Sequence, residues 1–366
     1  MLATTTSGNG EEGSRIGSLL NPGRMLSDGI PYPDFHEATE TIRGPDDWFD
    51  FWWAKGEAYN RLGEEAVADG HLISAGEWLW HGSLSFHYAQ FMSFHDPARR
   101  ELGQRRKVEL YNRAAPYLAP PAQRVELAFE GAVIPGFLRL PSGSTPPSGW
   151  PCAVLIGGLE STKEESLRFE EMCLRRGLAT FAFDGPGQGE LFFDVKLQPD
   201  FERWTAAVVD HLIDRGEVDS SRLGVLGRSL GGYYALRSAA TDDRFAACVG
   251  WGFFYDMSDF DTMPATTQHG FAYVTGKPSF DAARTYLQDA LSLDEVAGSL
   301  SIPTLLLNGR HDPIFPPRQM ELVVRALERA PVEVVIEESG DHCAHNMGQL
   351  VRPRMVDWLA TALSGE

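Results

Sequence analysis

The chain carries two kinds of hydrophobic pattern, one before and one after Pro120. In the first part, Trp48, Trp52 and Tyr59 recur at spacings of four and seven residues. Side chains at these spacings lie on the same face of a helix. The pattern therefore predicts an all-helical N-terminal region.

Short apolar runs separated by helix-length segments follow Pro120. The first two runs read as a hairpin, and the later ones have the length and apolar character of buried strands. This alternation is typical of a mostly parallel sheet covered by helices, so we predict an α/β fold with eight strands. The predicted strands span residues 124–130, 136–140, 152–156, 178–183, 223–227, 247–251, 304–309 and 332–337.

Composition divides the chain of 366 residues into three predicted parts. Residues 1–30 are rich in Ser, Thr, Gly and Glu, which predicts a flexible tail. Residues 31–120 form the predicted helical domain, and residues 121–366 form the α/β domain. With 43% hydrophobic and 23% charged residues, the whole chain has the composition of an ordinary globular protein.

The formal net charge of −19 argues against two classes of partner. Nucleic acids and anionic membranes are bound mainly through clustered Lys and Arg, so neither is an expected partner. No run approaches the ~18 apolar residues of a membrane span, and the N-terminus lacks the cationic start and apolar stretch of a secretory signal. We therefore expect a cytoplasmic protein.

No spacing in the sequence is typical of a metal or cofactor site. The four cysteines are widely separated, which predicts reduced thiols; they are Cys152, Cys173, Cys248 and Cys343. The loop DGPGQG at residues 184–189 follows a predicted strand, but its G-x-G-x-G spacing and its proline do not fit a dinucleotide loop. We interpret it as a rigid loop beside the site and expect neither a metal nor a cofactor.

The sequence GRSLG at residues 227–231 matches the motif G-x-S-x-G. It directly follows one predicted strand and directly precedes a helix-like segment. Small residues allow a tight turn there, which lifts the hydroxyl of Ser229 clear of the sheet, and the helix N-terminus favours developing negative charge. We therefore predict Ser229 as a catalytic nucleophile.

A serine nucleophile needs a histidine base and a carboxylate that orients this base. Asp312 follows the predicted strand 304–309, and His342 follows the last one, so both belong to the sheet edge where the serine lies. We predict Asp312 and His342 as the other members of a catalytic triad. His345 and His311 are rival bases, and Asp341 is a rival acid.

The backbone supplies the predicted oxyanion hole. One N–H belongs to Leu230, directly after the nucleophile, and another to the loop after the third strand, where Leu159 is our candidate. Two glycines precede Leu159 and also fit a plain turn. The neighbouring Glu160 either contacts substrate or faces solvent.

Many aromatic side chains crowd residues 78–95 of the helical region. Packing between helices explains most of them. An aromatic lid over the serine would need the same side chains, so Trp80, His81 and Tyr88 are candidate substrate-binding residues.

Several segments together resemble the α/β-hydrolases that include dihydroxypseudooxynicotine hydrolase of bacterial nicotine breakdown. The resemblance spans roughly Asp46 to Leu359. It rests on the segments RKVELYNRAAP (106–116), GGLESTKEES (157–166), FDGPGQGE (183–190), GVLGRSLGGYYALRSAA (224–240) and GDHCAHN (340–346).

The resemblance implies an α/β-hydrolase fold with the helical region as an N-terminal cap, and a homodimer. It also implies cleavage of a carbon–carbon bond between an electron-rich aromatic ring and a ketone carbonyl. Related sequences include esterases and polyketide acyltransferases. In the group's nicotine enzyme a glutamate after the sixth strand assists, and Asp261 is the residue that we align with it here.

These residues support three hypotheses about function. The preferred one is a serine hydrolase that cleaves a carbon–carbon bond next to a ketone through an acyl-enzyme. The second is an esterase, thioesterase or acyltransferase that uses the same serine on an oxygen or sulfur leaving group. The third is a binding protein that kept the fold and lost catalysis, which the intact order of Ser229, Asp312 and His342 disfavours.

Overall fold

The computed structural model describes residues 21–91 and 93–365. The chain divides into two compact units, with the boundary between Ala114 and Ala115; the sequence places this boundary at residue 120. The first unit contains the helices α1 (Pro22–Asp28), α2 (Tyr32–Thr41), α3 (Pro45–Ala68), α4 (Leu72–Gln90) and α5 (Pro97–Ala114).

The first helix falls inside the predicted tail of residues 1–30. Met25 in α1 and Ile30 just after it are only 1% and 3% exposed, so this part of the chain is packed rather than a free tail. Asn21 begins the helix, because its side chain accepts a hydrogen bond from the N–H of Arg24 at 2.9 Å. Residues 1–20, the rest of the predicted tail, lie outside the described residues.

Glycines let the long helices α3 and α4 approach closely. A Cβ at Gly56 of α3 would lie 2.7 Å from the ring of Phe86 in α4, and one at Gly63 would lie 2.6 Å from Leu79. The ring of Phe86 also meets the ring of Trp53, with centroids 4.7 Å apart. The aromatic pattern of this region therefore builds a packed helical core.

The second unit contains the predicted sheet. Within the described residues, the sheet has eight strands in the order β1-β2-β4-β3-β5-β6-β7-β8, which confirms the predicted fold class. The strands β1 and β2 are antiparallel to their neighbours, and all pairs from β4 to β8 are parallel. The strands are β1 (Ala122–Phe129), β2 (Ala132–Arg139), β3 (Trp150–Ile156), β4 (Ala179–Phe183), β5 (Val218–Arg228), β6 (Phe245–Trp251), β7 (Thr304–Gly309) and β8 (Val332–Glu337).

Helices pack on both faces of this sheet. Successive residues of β7 alternate between two apolar clusters: Leu306 packs in the cluster that contains Leu236, whereas Leu305 and Leu307 pack in the one that contains Leu359. The helices are α6 (Leu167–Leu174), α7 (Glu202–Ile213), α8 (Leu230–Thr241), α9 (Ala265–Thr275), α10 (Phe280–Ala290), α11 (Pro317–Ala326) and α12 (Gly348–Ala362). Because the strands β3 to β8 run parallel, their carboxyl ends lie at one common edge of the sheet, where loops can meet.

Along the part of the chain that the structure describes, no helix is both long and apolar enough to cross a membrane.

Candidate active site

The predicted nucleophile lies in the turn between β5 and α8. Ser229 has φ 59° and ψ −123°, a conformation that residues with a side chain rarely adopt. A Cβ on Gly227 would lie 1.8 Å from the carbonyl oxygen of Gly231, and a Cβ on Gly231 would lie 2.2 Å from the carbonyl oxygen of Ile156 in β3. Glycine is therefore required on both sides of the serine, which is the physical reason for the motif.

The three predicted triad side chains form one hydrogen-bonded row. The imidazole of His342 lies between them, with Nε2 2.9 Å from Oγ of Ser229 and Nδ1 2.7 Å from Oδ2 of Asp312. The other oxygen of Asp312 accepts hydrogen bonds from the N–H groups of Ile314 and Phe315, at 2.8 and 2.9 Å. The carboxylate is therefore fixed in orientation and holds the ring in the tautomer that leaves Nε2 free to accept a proton.

The pKa of His342 lies well above the ordinary value for histidine. Burial lowers this pKa, because it disfavours the charged imidazolium, but the negative charge of Asp312, the neighbouring Cys343 and the hydrogen bond to Asp312 together outweigh it. The side chain of Asp312 is fully buried, while that of His342 is 16% exposed. The site therefore stabilises the imidazolium that forms when His342 takes a proton.

An unusual backbone turn presents His342. The next two residues, Cys343 and Ala344, have φ 58° and 47°, in the left-handed region that non-glycine residues avoid. The indole N–H of Trp251 donates to the carbonyl of Cys343 at 2.5 Å and holds this turn. The thiol of Cys343 lies 3.4 Å from Nε2 of His342, and a Cβ on Gly252 would lie 2.2 Å from its sulfur. Tight packing therefore maintains the strained turn.

The rival residues have other surroundings. His345 is buried, and its ring meets that of Trp251 edge-on, with centroids 5.5 Å apart. Asp341 exchanges hydrogen bonds with Asn346 at 3.0 and 3.2 Å and so braces the same turn. His311 is exposed and donates its backbone N–H to a carbonyl at 2.9 Å. We interpret these residues as structural.

The predicted oxyanion loop borders Ser229. A Cβ on Gly158 would lie 3.0 Å from Cβ of Ser229, so the loop after β3 runs alongside the serine. Leu159 follows in this loop and is 4% exposed; Leu230, at the first position of α8, is 1% exposed. The two candidate N–H groups therefore belong to two segments that both adjoin the serine.

A buried cluster of charges lies beneath this loop. The ammonium of Lys163 is fully buried and donates to Glu164 at 2.6 Å, to Asp184 at 2.8 Å and to Glu190. The three carboxylates have the grouping of a possible cation site, and the ammonium of Lys163 occupies that role. Arg124 adds a second cation, 2.6 Å from Glu190. Burial lowers the pKa of Lys163, but the three carboxylates outweigh it and raise the pKa above its ordinary value.

We expect Lys163→Met to lower the free energy of unfolding by about 3–5 kcal/mol at pH 7. The change keeps the apolar volume but removes the ammonium from the buried carboxylates of Glu164 and Asp184, and breaking a buried ion pair from one side is strongly destabilising. Urea unfolding measures the difference, and Lys277→Met, at an exposed lysine, is the matched control. Equal midpoints for the two variants would contradict the prediction.

Asp261 and Glu160 are the remaining predicted site residues of the α/β unit. Asp261 is half-exposed, with 49% of its side chain accessible, and its carboxylate binds Arg284 at 2.5 Å. Its surroundings are therefore those of a surface ion pair, and its role as an auxiliary acid stays a prediction. Glu160 is half-buried and directly follows Leu159, so its predicted substrate contact stays a prediction.

The three aromatic candidates lie on α4. Trp80 and Tyr88 are 1% exposed, so most of each ring serves packing. The hydroxyl of Tyr88 donates to Asp28 at 3.2 Å, and its carbonyl accepts the indole N–H of Trp48 at 2.6 Å. His81 packs on Trp80, with ring centroids 4.6 Å apart. The contacts of Tyr88 favour a structural role in the helical unit.

Sequence reasoning missed two residues that shape the site. Gln188 lies in the loop 184–189, and its side chain donates to the oxyanion loop. Trp251 holds the turn after His342. The signal for Gln188 is the loop motif at residues 184–189, which by itself indicates only a rigid loop beside the site. For Trp251 the signal was its place at the end of a predicted strand.

In this site a serine lies on a strand-to-helix turn and is joined through a histidine to a buried aspartate beside a parallel sheet. This arrangement defines a serine hydrolase of the α/β type. Comparison with known proteins agrees with this class. A model of FrsA-like esterases matches residues 40–277, and a model of the prolyl oligopeptidase family matches residues 199–366. The chain belongs to the α/β-hydrolases, within the family of FrsA-like esterases.

One curated relative and one solved structure are similar to almost the whole chain, and a second relative is similar to part of it. The 2,6-dihydropseudooxynicotine hydrolase of Paenarthrobacter nicotinovorans is 42% identical over 348 residues, which cover 94% of this chain and 92% of that protein. The crystal structure of a 2,6-dihydroxy-pseudo-oxynicotine hydrolase has a TM-score of 0.88 at 41% identity, covering 94% of this chain and 96% of that one. The α/β-hydrolase xenA of Xenoacremonium sinensis is 31% identical over 248 residues, or 64% of this chain and 58% of that protein.

Proposed function

We propose that the chain hydrolyses a small molecule through an acyl-enzyme on Ser229, with His342 as general base and acid and Asp312 as the group that orients the imidazole. One observation carries this proposal. The ring of His342 lies 2.9 Å from Oγ of Ser229 and 2.7 Å from Oδ2 of Asp312. A serine hydroxyl is a poor nucleophile at neutral pH, and this arrangement removes its proton as it attacks.

The first step forms a tetrahedral intermediate. Oγ of Ser229 bonds to the substrate's carbonyl carbon while its proton moves to Nε2 of His342, and the carbonyl oxygen becomes an oxyanion. The N–H groups of Leu159 and Leu230 stabilise the oxyanion, and the N-terminus of α8 adds positive potential. When the intermediate collapses, the leaving group takes the electron pair and the proton from His342. Water then hydrolyses the acyl-enzyme by the same sequence of steps.

We propose an aryl ketone as the substrate class, with the scissile bond between the aromatic carbon and the carbonyl carbon. The support is the 42% identity with 2,6-dihydropseudooxynicotine hydrolase across 94% of the chain. A carbon leaving group departs with the electron pair and must be protonated on carbon. The raised pKa of His342 suits this task, because the imidazolium keeps its proton until the ring carbon can accept it. We assign the protonation to His342, since Asp261 binds Arg284 instead.

The second candidate is an ester or thioester hydrolase, or an acyltransferase, that uses the same acyl-enzyme. The match of residues 40–277 to FrsA-like esterases favours it. An oxygen or sulfur leaving group is stable as an anion, so this reaction makes a weaker demand on the acid. The two candidates therefore differ in the leaving-group step and share everything before it.

A matched substrate panel tests the choice. We expect turnover of an electron-rich dihydroxyaryl alkyl ketone, with the carboxylic acid and the free arene as products. The rate for this ketone is compared with the rates for the aryl ester and the thioester of the same acid. Product release is followed by chromatography, and Ser229→Ala protein supplies the background for each substrate. Turnover of the ester and thioester alone would remove the carbon–carbon proposal and leave the second candidate.

Other properties of the protein stay predictions from the sequence. They are the homodimer, the cytoplasmic location, the small-molecule partner without nucleic acid or membrane, the lack of a cofactor, and the role of the helical unit as a cap.

A further inference from the structure

We propose that Gln188 is a positioning residue that sets the direction of the Leu159 N–H, one of the two oxyanion donors. The inference rests on the proposed function, because it needs an oxyanion that forms at Ser229. Gln188 acts through the peptide unit that joins Gly158 to Leu159.

The carboxamide of Gln188 bridges two loops. Its amino group donates to the carbonyl of Gly157 at 2.5 Å and to the carbonyl of Gly158 at 3.2 Å. Its oxygen accepts the backbone N–H of Gly185 at 3.1 Å. This last bond fixes the orientation of the carboxamide, since a backbone N–H can only donate. The side chain is 2% exposed, so water does not compete freely for these bonds.

Through the geometry of the peptide unit, the contact of Gln188 with the Gly158 carbonyl controls the direction of the Leu159 N–H. The carbonyl of Gly158 and the N–H of Leu159 belong to one planar trans peptide unit, so they point in opposite directions. Holding the carbonyl towards Gln188 turns the N–H to the other side of the loop. The same peptide borders the nucleophile, because a Cβ on Gly158 would lie 3.0 Å from Cβ of Ser229. A hydrogen bond to the carbonyl also polarises the amide and strengthens its N–H as a donor.

Two consecutive glycines make this constraint necessary. Gly157 and Gly158 have no Cβ, so their backbone can adopt many more conformations than that of other residues. A Cβ on Gly158 would also lie 3.0 Å from the carbonyl oxygen of Arg228, so a stiffer residue fits poorly. A hydrogen bond from outside the loop can fix its peptide planes.

The loop that carries Gln188 is itself firmly anchored. Asp184 accepts the backbone N–H of Lys163 at 2.9 Å, its ammonium at 2.8 Å and the N–H of Glu190 at 3.1 Å. A Cβ on Gly189 would lie 2.0 Å from a carboxylate oxygen of Asp184, so the chain folds tightly around this group. Asp184 therefore ties the loop of Gln188 to the segment that follows the oxyanion loop.

Two substitutions test the proposal. Gln188→Met removes all polar contacts at similar volume, and Gln188→Glu keeps an acceptor for Gly185 but loses both donors. We expect kcat for an aryl ester to fall by about 10- to 100-fold, somewhat less than the loss of a whole oxyanion donor, with KM within about twofold. The inhibition constant of trifluoroacetophenone, which forms an anionic hemiketal with Ser229, should rise by the same factor. Gln198→Met is the matched control, because Gln198 accepts the indole N–H of Trp204 instead.

Each outcome decides the proposal. Unchanged kcat and unchanged inhibitor binding in the folded variants would overturn it, and a rise in KM alone would assign Gln188 to substrate binding. Loss of folded protein in both variants, seen by near-UV circular dichroism, would also overturn it and make Gln188 a residue of the fold. If wild-type hydrolysis does not depend on Ser229, the proposed function fails and this inference with it. If hydrolysis depends on Ser229 and the Gln188 variants match the control, only this inference fails.

Discussion

Replacing Ser229 with alanine is expected to lower kcat by about 10⁶-fold, as loss of the nucleophile does in a serine hydrolase with an intact oxyanion hole. Alanine removes only Oγ, so the backbone donors and the substrate-binding surface stay in place. We therefore expect KM to change little. Steady-state turnover of the best substrate in the panel measures the effect, and covalent labelling by a fluorophosphonate probe should disappear.

Ser238→Ala is the matched control for this substitution. Ser238 lies on the same helix, α8, and its hydroxyl donates to Thr205 at 3.1 Å. Its loss should leave kcat and probe labelling at the level of the wild type. A Ser229→Ala protein that keeps more than about 1% of kcat would show that the attacking group is not this hydroxyl, and would reopen the assignment of the nucleophile.

The second large effect is expected for Asp312→Asn, with a fall in kcat of about 10⁴-fold. Asparagine keeps the shape of the side chain, but its amide can donate to Nδ1 of His342 and so favours the wrong tautomer. The imidazole would then present a protonated Nε2 to Ser229, and this nitrogen cannot accept the proton of the serine hydroxyl. Turnover at the pH optimum measures this loss.

The same variant should change the pH profile in a defined direction. Only the neutral form of His342 acts as a base, so kcat/KM falls as the pH drops below the pKa of His342. Burial lowers the pKa of His342, but the charge of Asp312 raises it by more than burial lowers it. The acid limb of the wild-type profile, where kcat/KM falls with decreasing pH, is therefore expected at a pH above the ordinary histidine pKa of about 6.5. Removing the negative charge lowers the pKa, and the residual activity of Asp312→Asn should extend to lower pH.

Asp341→Asn is the control that separates the two candidate acids. The side chain of Asp341 accepts the N–H of Asn346 at 3.2 Å, and an asparagine oxygen can accept the same bond. We expect kcat and the acid limb of this variant to stay close to the wild type. If Asp341→Asn shifted the acid limb and Asp312→Asn did not, the carboxylate of the row would be wrongly assigned.

The parts of the fold and site that follow local rules could be predicted from the sequence. Ser229 could be predicted because its conformation requires glycine at Gly227 and Gly231, and this requirement is visible as a motif. His342 and Asp312 could be predicted because parallel strands end at one edge of a sheet. The eight strands could be predicted because their apolar runs are short and separated by helix-length segments.

The parts that depend on side-chain contacts across the fold could not be predicted. The partner of Asp261 is Arg284, which lies 23 residues further along the chain, and no spacing in the sequence indicates that ion pair. The contact of Gln188 with Gly157 depends on how two loops approach each other. Trp80 satisfies the same sequence pattern whether it packs in a core or lines a pocket. Periodicity identifies the buried face of a helix but not what covers it.

The positive φ of Ser229, the predicted nucleophile, has a consequence for how this family can evolve. Glycine adopts φ 59° without penalty, whereas a serine there costs on the order of 1–3 kcal/mol. Selection for thermal robustness alone would therefore replace the residue with glycine, and only selection for turnover retains a hydroxyl. A descendant that kept the fold merely to bind its ligand would be free to drift towards glycine at position 229.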